Sequence, residues 1–276
     1  MSAGDARERG PLALMVPFYR GREHLRETLE SALAQRCDAW RLLVLDDREA
    51  IRPKAGEDAD GDIQALVASF RDPRLGYRRN PQRLGMAANW NRGLELADAE
   101  LVTLVHADDR LLPEYVGGMR ELARRHPEAV ALSCGARILD AAGRPRFSLA
   151  DAVKPVFVPR GGDPVLLRGE RALRALLAGN FIMCPTLCFR RARLGARRFH
   201  TGWKQVQDLE LTTRLLLEGE TLVHTRVAWY AYRRHAGGMT AIQSESLLRF
   251  DEECALFAQL AARAEARGWR RAAATA

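Results

Sequence analysis

Residues 101–109, LVTLVHADD, join the most apolar run of this chain to a histidine and two aspartates. Two earlier apolar runs, Leu12 to Val16 and Leu42 to Leu45, have the length of buried strands, and helix-like stretches separate the three runs. Short, continuous apolar strands that alternate with helices predict a mostly parallel central sheet with helices on both faces. We therefore expect an α/β fold.

The spacing of apolar residues predicts the remaining elements. Leu25, Leu29 and Leu33 lie four residues apart, on one face of a helix over Arg22–Gln35. By the same reasoning we predict helices at Ile63–Phe70, Met86–Ala97, Glu170–Ala178, Leu209–Leu217 and Ser244–Arg267, and strands at Gly76–Arg79 and Thr186–Arg190. Because no stretch has the length and flexibility of a linker, we expect one domain over residues 12–240, preceded by a tail (1–11) and followed by a C-terminal helix and tail (241–276).

Composition limits the possible partners and the setting. The 276 residues include 43 Lys and Arg against 35 Asp and Glu, a formal net charge of +8. This charge favours anionic partners, unless the arginine-rich composition only reflects the genome. No apolar run reaches the ~18 residues of a membrane span, and Met1 to Pro11 is too polar for a signal peptide. Five scattered cysteines indicate reduced thiols, so we expect a cytoplasmic protein.

Polar residues follow three of the predicted strands. The first strand continues into Pro17 and Tyr19, the second into Asp46-Asp47, and the third into residues 106–109. The carboxyl ends of parallel strands meet at one edge of a sheet, where ligands bind. Two Asp-Asp pairs at one edge repel each other unless a cation or hydrogen-bond donors lie between them, although each Asp could instead cap a helix or turn. Clustered carboxylates suit Mg²⁺ or Mn²⁺.

Motifs for other chemistries are absent from the sequence. It contains no G-x-x-x-x-G-K-[ST] or G-x-G-x-x-G phosphate loop, and no G-x-S-x-G turn for a serine nucleophile. A divalent metal can replace such a loop by neutralising a diphosphate. A metal-bound nucleotide diphosphate is therefore the best candidate ligand.

Five motifs follow one another in a recognisable order. They are Val16-Pro17-Phe18-Tyr19, Leu43-Val44-Leu45-Asp46-Asp47, the stretch from Asn80 to Leu94 (NPQRLG, then NWNRGL), His106-Ala107-Asp108-Asp109, and Gln207-Asp208-Leu209-Glu210 with Tyr232-Arg233-Arg234-His235 after it. Over residues 12–240 this order resembles glycosyltransferases of family 2, which have the GT-A fold. The resemblance implies a Rossmann-like domain whose residues 12–110 bind a nucleotide sugar and whose residues 111–240 bind the acceptor.

The resemblance also implies the reaction. A sugar would pass from a nucleotide diphosphate sugar, UDP-linked by default, to a hydroxyl-bearing acceptor, with inversion and with Mn²⁺ or Mg²⁺. The acceptor would be a carbohydrate, a lipid-linked molecule or a small molecule. Asp47 resembles the aspartate that reads the base, and Asp208 the catalytic base. The other implied contacts are Pro17, Tyr19, Asn91 and His106 for the donor, and Asp108 or Asp109 with His235 for the metal.

Several residues keep a second interpretation. Asp208 could be only the N-cap of the helix that follows it. Trp90 and Trp203 could line the site or belong to the core, and Asn91 could lie on a helix surface. The arginines of residues 190–198 could hold an anionic acceptor, contact membrane headgroups or form a solvated face.

Two other functions compete with glycosyl transfer. A sugar-phosphate nucleotidyltransferase would also use carboxylates and a metal, but Tyr19 to Arg22 is a poor triphosphate loop. A basic nucleic-acid-binding module would explain the charge, but the sequence has no groove-binding motif. We expect no nucleic-acid partner.

Overall fold

The computed structural model describes residues 11–48, 62–235 and 248–276. The strands are β1 (Leu12–Phe18), β2 (Trp40–Asp46), β3 (Leu75–Arg79), β4 (Leu101–Leu104), β5 (Arg110–Leu111), β6 (Ala129–Leu139), β7 (Val165–Leu167), β8 (Cys188–Arg190) and β9 (Thr221–Arg233). The helices are α1 (Arg22–Leu33), α2 (Ile63–Ser69), α3 (Met86–Leu96), α4 (Tyr115–Arg125), α5 (Leu149–Phe157), α6 (Gly169–Ala178), α7 (Arg191–Leu194), α8 (Gln207–Leu217), α9 (Leu248–Ala266) and α10 (Arg270–Ala273), with a 3-10 turn at Cys184–Thr186.

All these strands belong to one sheet. Its order is β3-β2-β1-β4-β8-β6-β9-β5, and β7 pairs with β9. The β3-β2-β1-β4 half is parallel throughout, which confirms the predicted α/β fold. The second half mixes the parallel pair β6–β9 with antiparallel pairs to β5, β7 and β8.

The core lies on both faces of the sheet. Along β1, Leu12, Leu14 and Val16 face the side covered by α1, α2 and α4, whereas Ala13 and Met15 face the side covered by α3, α6, α8 and α9. A strand buried on both faces must be apolar at every position, which explains the continuous apolar runs.

The two longest strands are absent from the sequence-based prediction. In β6 the apolar start changes to half-exposed residues after Cys134, and β9 exposes Arg226 and Val227 halfway along. The register between these strands also shifts beside Gly135. Such an interrupted pattern has no regular period. β9 nevertheless matters for the site, because it ends at Arg233, two residues before His235.

The predicted gathering of strand ends is confirmed. Phe18 lies opposite Asp46 in the parallel register, Asp46 lies opposite Arg79, and the Val105 amide donates to the carbonyl of Met15. The residues after β1, β2 and β4 therefore meet at one edge. In the described part of the chain, no helix has the length and apolar character to cross a membrane. The predicted helix Ser244–Arg267 begins outside the described residues.

Candidate active site

A histidine and two aspartates cluster in the loop after β4. His106, Asp108 and Asp109 each offer a metal-ligand atom, and these three atoms lie within 4.8 Å of one another. His235 joins them from the end of β9, since its Nε2 lies 2.9 Å from Oδ2 of Asp108. The structure thus brings together all four residues that the sequence assigned to the metal and diphosphate.

The two aspartates differ in surroundings. The Asp109 side chain is fully buried, where it accepts hydrogen bonds from the Arg233 amide (2.7 Å) and the Tyr230 hydroxyl (3.1 Å). Burial, and then the charge of Asp108, raise the pKa of Asp109 well above its usual range. The Asp108 side chain is 33% exposed, and although burial opposes its ionisation, the hydrogen bond with His235 lowers its pKa. Asp108 is therefore the ionised, accessible carboxylate.

His106 packs beneath this cluster. Its ring stacks on Trp90 with the centroids 5.9 Å apart, and its Nδ1 lies 3.6 Å from Asp109. Burial lowers the pKa of His106, so the neutral ring is favoured. Its Nε2 is buried and has no hydrogen-bond partner among the described residues. An orphaned polar atom next to clustered carboxylates fits a ligand or metal at this position. Trp90 itself belongs to the core.

The donor set also fits a divalent cation. It combines the carboxylate of Asp108 with the imidazole of His235, and His106 lies beside them. Carboxylates suit Mg²⁺ and Mn²⁺ alike, whereas imidazole favours transition metals. The mixture is compatible with a divalent cation.

Asp208 approaches from the other half of the chain. α8 begins at Gln207 with Val206 as its N-cap, so Asp208 lies within the first turn, and its interpretation as the N-cap is wrong. Burial raises the pKa of Asp208, partly offset by backbone amides and a hydrogen bond with Asn180. Burial raises the pKa of the Cys184 thiol, and the nearby charges of Asp208 and Asp109 raise it further. Asp208 and Asp109 therefore both lie near Cys184.

Asp47 organises the loop after β3. Its carboxylate accepts hydrogen bonds from the amides of Leu84 and Gly85 (both 2.8 Å) and from the side chain of Asn80 (2.9 Å). Asn80 also binds the side chain of Asn89, whose amide donates to the carbonyl of Leu45. Asp47 thus holds residues 80–85 against the carboxyl end of β2.

The other residues predicted to contact the donor, Pro17, Tyr19 and Asn91, differ in their surroundings. Pro17 is half-buried at the end of β1, and the Tyr19 ring lies between the guanidinium groups of Arg83 (4.3 Å) and Arg20 (5.0 Å). The side chain of Asn91 already has hydrogen-bond partners within the protein. Its side-chain amide forms a reciprocal pair of hydrogen bonds with the backbone of Phe199, at 2.8 and 2.9 Å. Asn91 ties α3 to the segment before α8.

The structure adds residues that the sequence did not single out. The His24 ring meets the His235 ring edge to face at 5.2 Å, and Arg233 pairs with Glu27 at 2.6 Å. Burial raises the pKa of Asp208, and the positive charge of Lys154 on α5 offsets part of that increase. None of these residues has a spacing that points to the site, because they come from three elements, α1, α5 and β9, that are far apart in the sequence.

Comparison with known proteins identifies the family. The sequence profile of "Glycosyl transferase family 2" matches residues 13–193. The chain belongs to this family. The match includes Pro17, Asp47 and Asp108, and it ends before Asp208 and His235.

Similar proteins agree in fold. The chain is 29% identical over 215 residues to the uncharacterized protein MT1568 of Mycobacterium tuberculosis, covering 75% of this chain and 62% of that protein. Two structures of residues 1–349 of TarS from S. aureus, one of them in complex with UDP-GlcNAc, match with TM-scores of 0.63 and 0.64. They are 17% and 16% identical, and cover 92% of this chain and 65% and 66% of those chains. This family-2 chain spans less than two thirds of the length of these relatives.

Proposed function

We propose that this chain transfers a sugar from a nucleotide diphosphate sugar to a hydroxyl-bearing acceptor, with inversion and with a divalent metal. One observation carries the proposal: the accessible carboxylate of Asp108 and the His235 imidazole meet 2.9 Å apart at the ligand-binding edge. Family membership supports glycosyl transfer. UDP is the default nucleotide, and the UDP-GlcNAc complex of TarS supports it by analogy.

The metal site would use Asp108 and His235, with Asp109 and His106 behind them. A bound Mn²⁺ or Mg²⁺ supplies a positive charge that neutralises the leaving diphosphate. Asp109 holds the loop by binding Tyr230 and the Arg233 backbone, and Trp90 holds the His106 ring.

Asp208 would take the proton of the acceptor hydroxyl. A base must be unprotonated but not strongly acidic, and burial raises the pKa of Asp208 toward that range. One carboxylate opposite the leaving group permits a single displacement, so an α-linked donor would give a β-linked product. Residues 12–110 would bind the donor and residues 111–240 the acceptor, and we propose a cytoplasmic setting.

Product release tests the reaction class. The purified chain should release a nucleoside diphosphate from one nucleotide sugar of a panel of UDP-, dTDP- and GDP-sugars when Mn²⁺ is present. Release of pyrophosphate from a nucleoside triphosphate and a sugar phosphate would instead indicate a nucleotidyltransferase. Steep, salt-dependent binding of random DNA with no release would indicate a nucleic-acid-binding module.

Replacing Asp47 should weaken donor binding. Asp47→Ala removes a charge-assisted hydrogen-bond acceptor at the proposed base pocket, which should lower the binding free energy of the nucleotide by roughly 1–3 kcal/mol. Calorimetric titration with nucleoside diphosphates measures the loss. Asn80→Ala is the matched control, because it removes one bond of the same loop but leaves the carboxylate. Equal losses in both variants would mean that Asp47 acts only through the loop, and no loss would remove it from the site.

The pH dependence of turnover should follow the ionisation of the Asp208 carboxyl group. Burial raises the pKa of Asp208 above its ordinary value of 3.8. The base is active when ionised, so kcat should fall as the pH decreases through this raised pKa, at a higher pH than for an exposed aspartate. A pH profile of kcat at saturating donor and metal measures it. An acid limb at the same pH in Asp208→Asn would assign the limb to another group.

A further inference from the structure

Helix α5 exposes its apolar face. Of the described residues, seven large apolar side chains are exposed, and four of them lie within ten residues. Phe147, Leu149 and Val156 are 77%, 70% and 78% exposed, and Val153 is 43% exposed. Leu149, Val153 and Val156 have the i, i+4, i+7 spacing of one helix face. A soluble helix normally turns such a stripe toward the core.

The opposite face of α5 is polar and points inward. Asp151 accepts two hydrogen bonds from the Arg234 guanidinium, at 2.8 and 2.9 Å, and pairs with Lys154 at 3.1 Å. Although burial opposes ionisation, the bond with Arg234 lowers the pKa of Asp151 to about 2, so this anchor persists at neutral pH. Ion pairs, together with Phe157 at the end of α5, which packs against the core, therefore hold the helix to the protein while its apolar stripe faces outward.

Arginines lie at both ends of the stripe. Arg146 is exposed directly before Phe147. At the other end, Arg226 donates to the carbonyl of Pro159, and Arg171 donates to the carbonyl of the exposed Arg160. An apolar face flanked by cations has the chemistry of a segment that lies in the interface of an anionic bilayer. A two-fold contact between copies through this face would instead place arginines against arginines.

The predicted membrane contact at residues 190–198 is a weaker candidate. Arg190 is buried and bonded to the carbonyls of Ala123 and Ala129. Arg197 pairs with Glu218 and Glu220. This cluster also begins opposite Leu101, at the end of β4 that lies away from the carboxylates. Its charges are largely neutralised, and it has no apolar stripe comparable to that of α5 among the described residues.

We propose that the exposed stripe of α5, formed by Phe147, Leu149, Val153 and Val156 with its flanking arginines, docks on an anionic lipid bilayer. The helix adjoins the site, because Asp151 on its inner face binds Arg234, which directly precedes His235. Docking therefore brings the bilayer close to the site, with α5 between them. Given the proposed transfer reaction, this placement favours an acceptor displayed at the lipid surface.

Vesicle sedimentation of the full chain tests the docking. The protein should sediment with phosphatidylcholine vesicles that contain about one third phosphatidylglycerol, much less with pure phosphatidylcholine, and less at high salt. The triple variant Leu149→Ser, Val153→Ser, Val156→Ser should partition into these vesicles at least about tenfold less than the wild type. Arg146→Gln and Arg160→Gln should each reduce partitioning about fivefold. Phe250→Ser, at an apolar residue 57% exposed on α9, is the matched control and should bind like the wild type.

Three outcomes would overturn the proposal. They are no sedimentation of the wild type with anionic vesicles, unchanged binding of the triple variant, or a wild-type dimer that becomes monomeric in the triple variant without any vesicle binding. The last result would assign the face to a second copy. Unfolding temperature and thermal shift with nucleotide should match the wild type in every variant. Vesicle binding needs no donor, so the two proposals are tested independently. A failure to bind vesicles would not argue against glycosyl transfer, and a failure of glycosyl transfer would not argue against docking.

Discussion

Asp208→Asn should lower kcat by about 10²–10⁴ while the affinity for the nucleotide sugar stays near the wild-type value. The amide preserves the shape of the side chain but cannot take the proton of the acceptor hydroxyl. A loss of kcat at constant donor affinity marks an interaction made only in the transition state. Steady-state kinetics with calorimetric titration of the donor separates the two quantities.

The same variant should be at least as stable as the wild type. The folded-state pKa of Asp208 is raised, so the stability that its protonated form contributes is lost as the pH rises through that pKa. Asparagine carries no charge and avoids this loss at neutral pH. Glu210→Gln is a suitable control, because Glu210 lies in the same turn of α8 but pairs with Arg214. Near-normal turnover in Asp208→Asn, or an equal loss in Glu210→Gln, would contradict the role of Asp208 as base.

Asp108→Ala should abolish the metal dependence of donor binding and reduce turnover by about 10²–10³, since metal stabilisation of the leaving diphosphate contributes several kcal/mol. The fold should survive, because the side chain is partly exposed and its described partner is His235. Donor titration with and without Mn²⁺ measures the effect.

Asp109 needs a separate experiment. Asp109→Ala removes the acceptor of the Tyr230 hydroxyl and the Arg233 amide, so it should lower the unfolding temperature in addition to any effect on binding. Asp140→Asn, at an exposed pair with Arg144, is the control for Asp108→Ala. If Asp108→Ala binds donor with unchanged Mn²⁺ dependence, the metal site lies elsewhere.

The parallel half of the fold was predictable because its strands are buried on both faces. Such strands are continuously apolar, and their carboxyl ends must share an edge, so the sequence alone predicts that Asp47 and Asp108 follow strands at one edge of the sheet. β6 and β9 were not predictable in the same way. The alternation of apolar residues in these strands is interrupted by exposed residues and by shifts in register. The register is set by pairing between β6 and β9, which are far apart in the sequence.

Side-chain partners were the second limit. The spacing around Asn91 cannot show that its amide would bind the backbone of Phe199, 108 residues away. Likewise, Asp208 has the chemistry of a good N-cap, but α8 begins one residue earlier, at Gln207, whose buried side chain donates to the carbonyl of Trp203. The spacing of Leu149, Val153 and Val156 is helical, but Pro155 argues against a helix there, and spacing alone cannot show that the apolar face points outward.

A thermal-shift titration with nucleotide sugars, with and without Mn²⁺, tests most directly whether this edge binds a metal-bound nucleotide sugar. A ligand at 100 times its Kd stabilises the folded state by about 2.7 kcal/mol. For a chain of this size, that corresponds to an increase in unfolding temperature of roughly 5–10 °C. We expect such a shift for a UDP-sugar with Mn²⁺, a much smaller one without metal, and loss of the difference in Asp108→Ala. No shift with any nucleotide sugar, or the same shift with and without Mn²⁺, would contradict the proposed site.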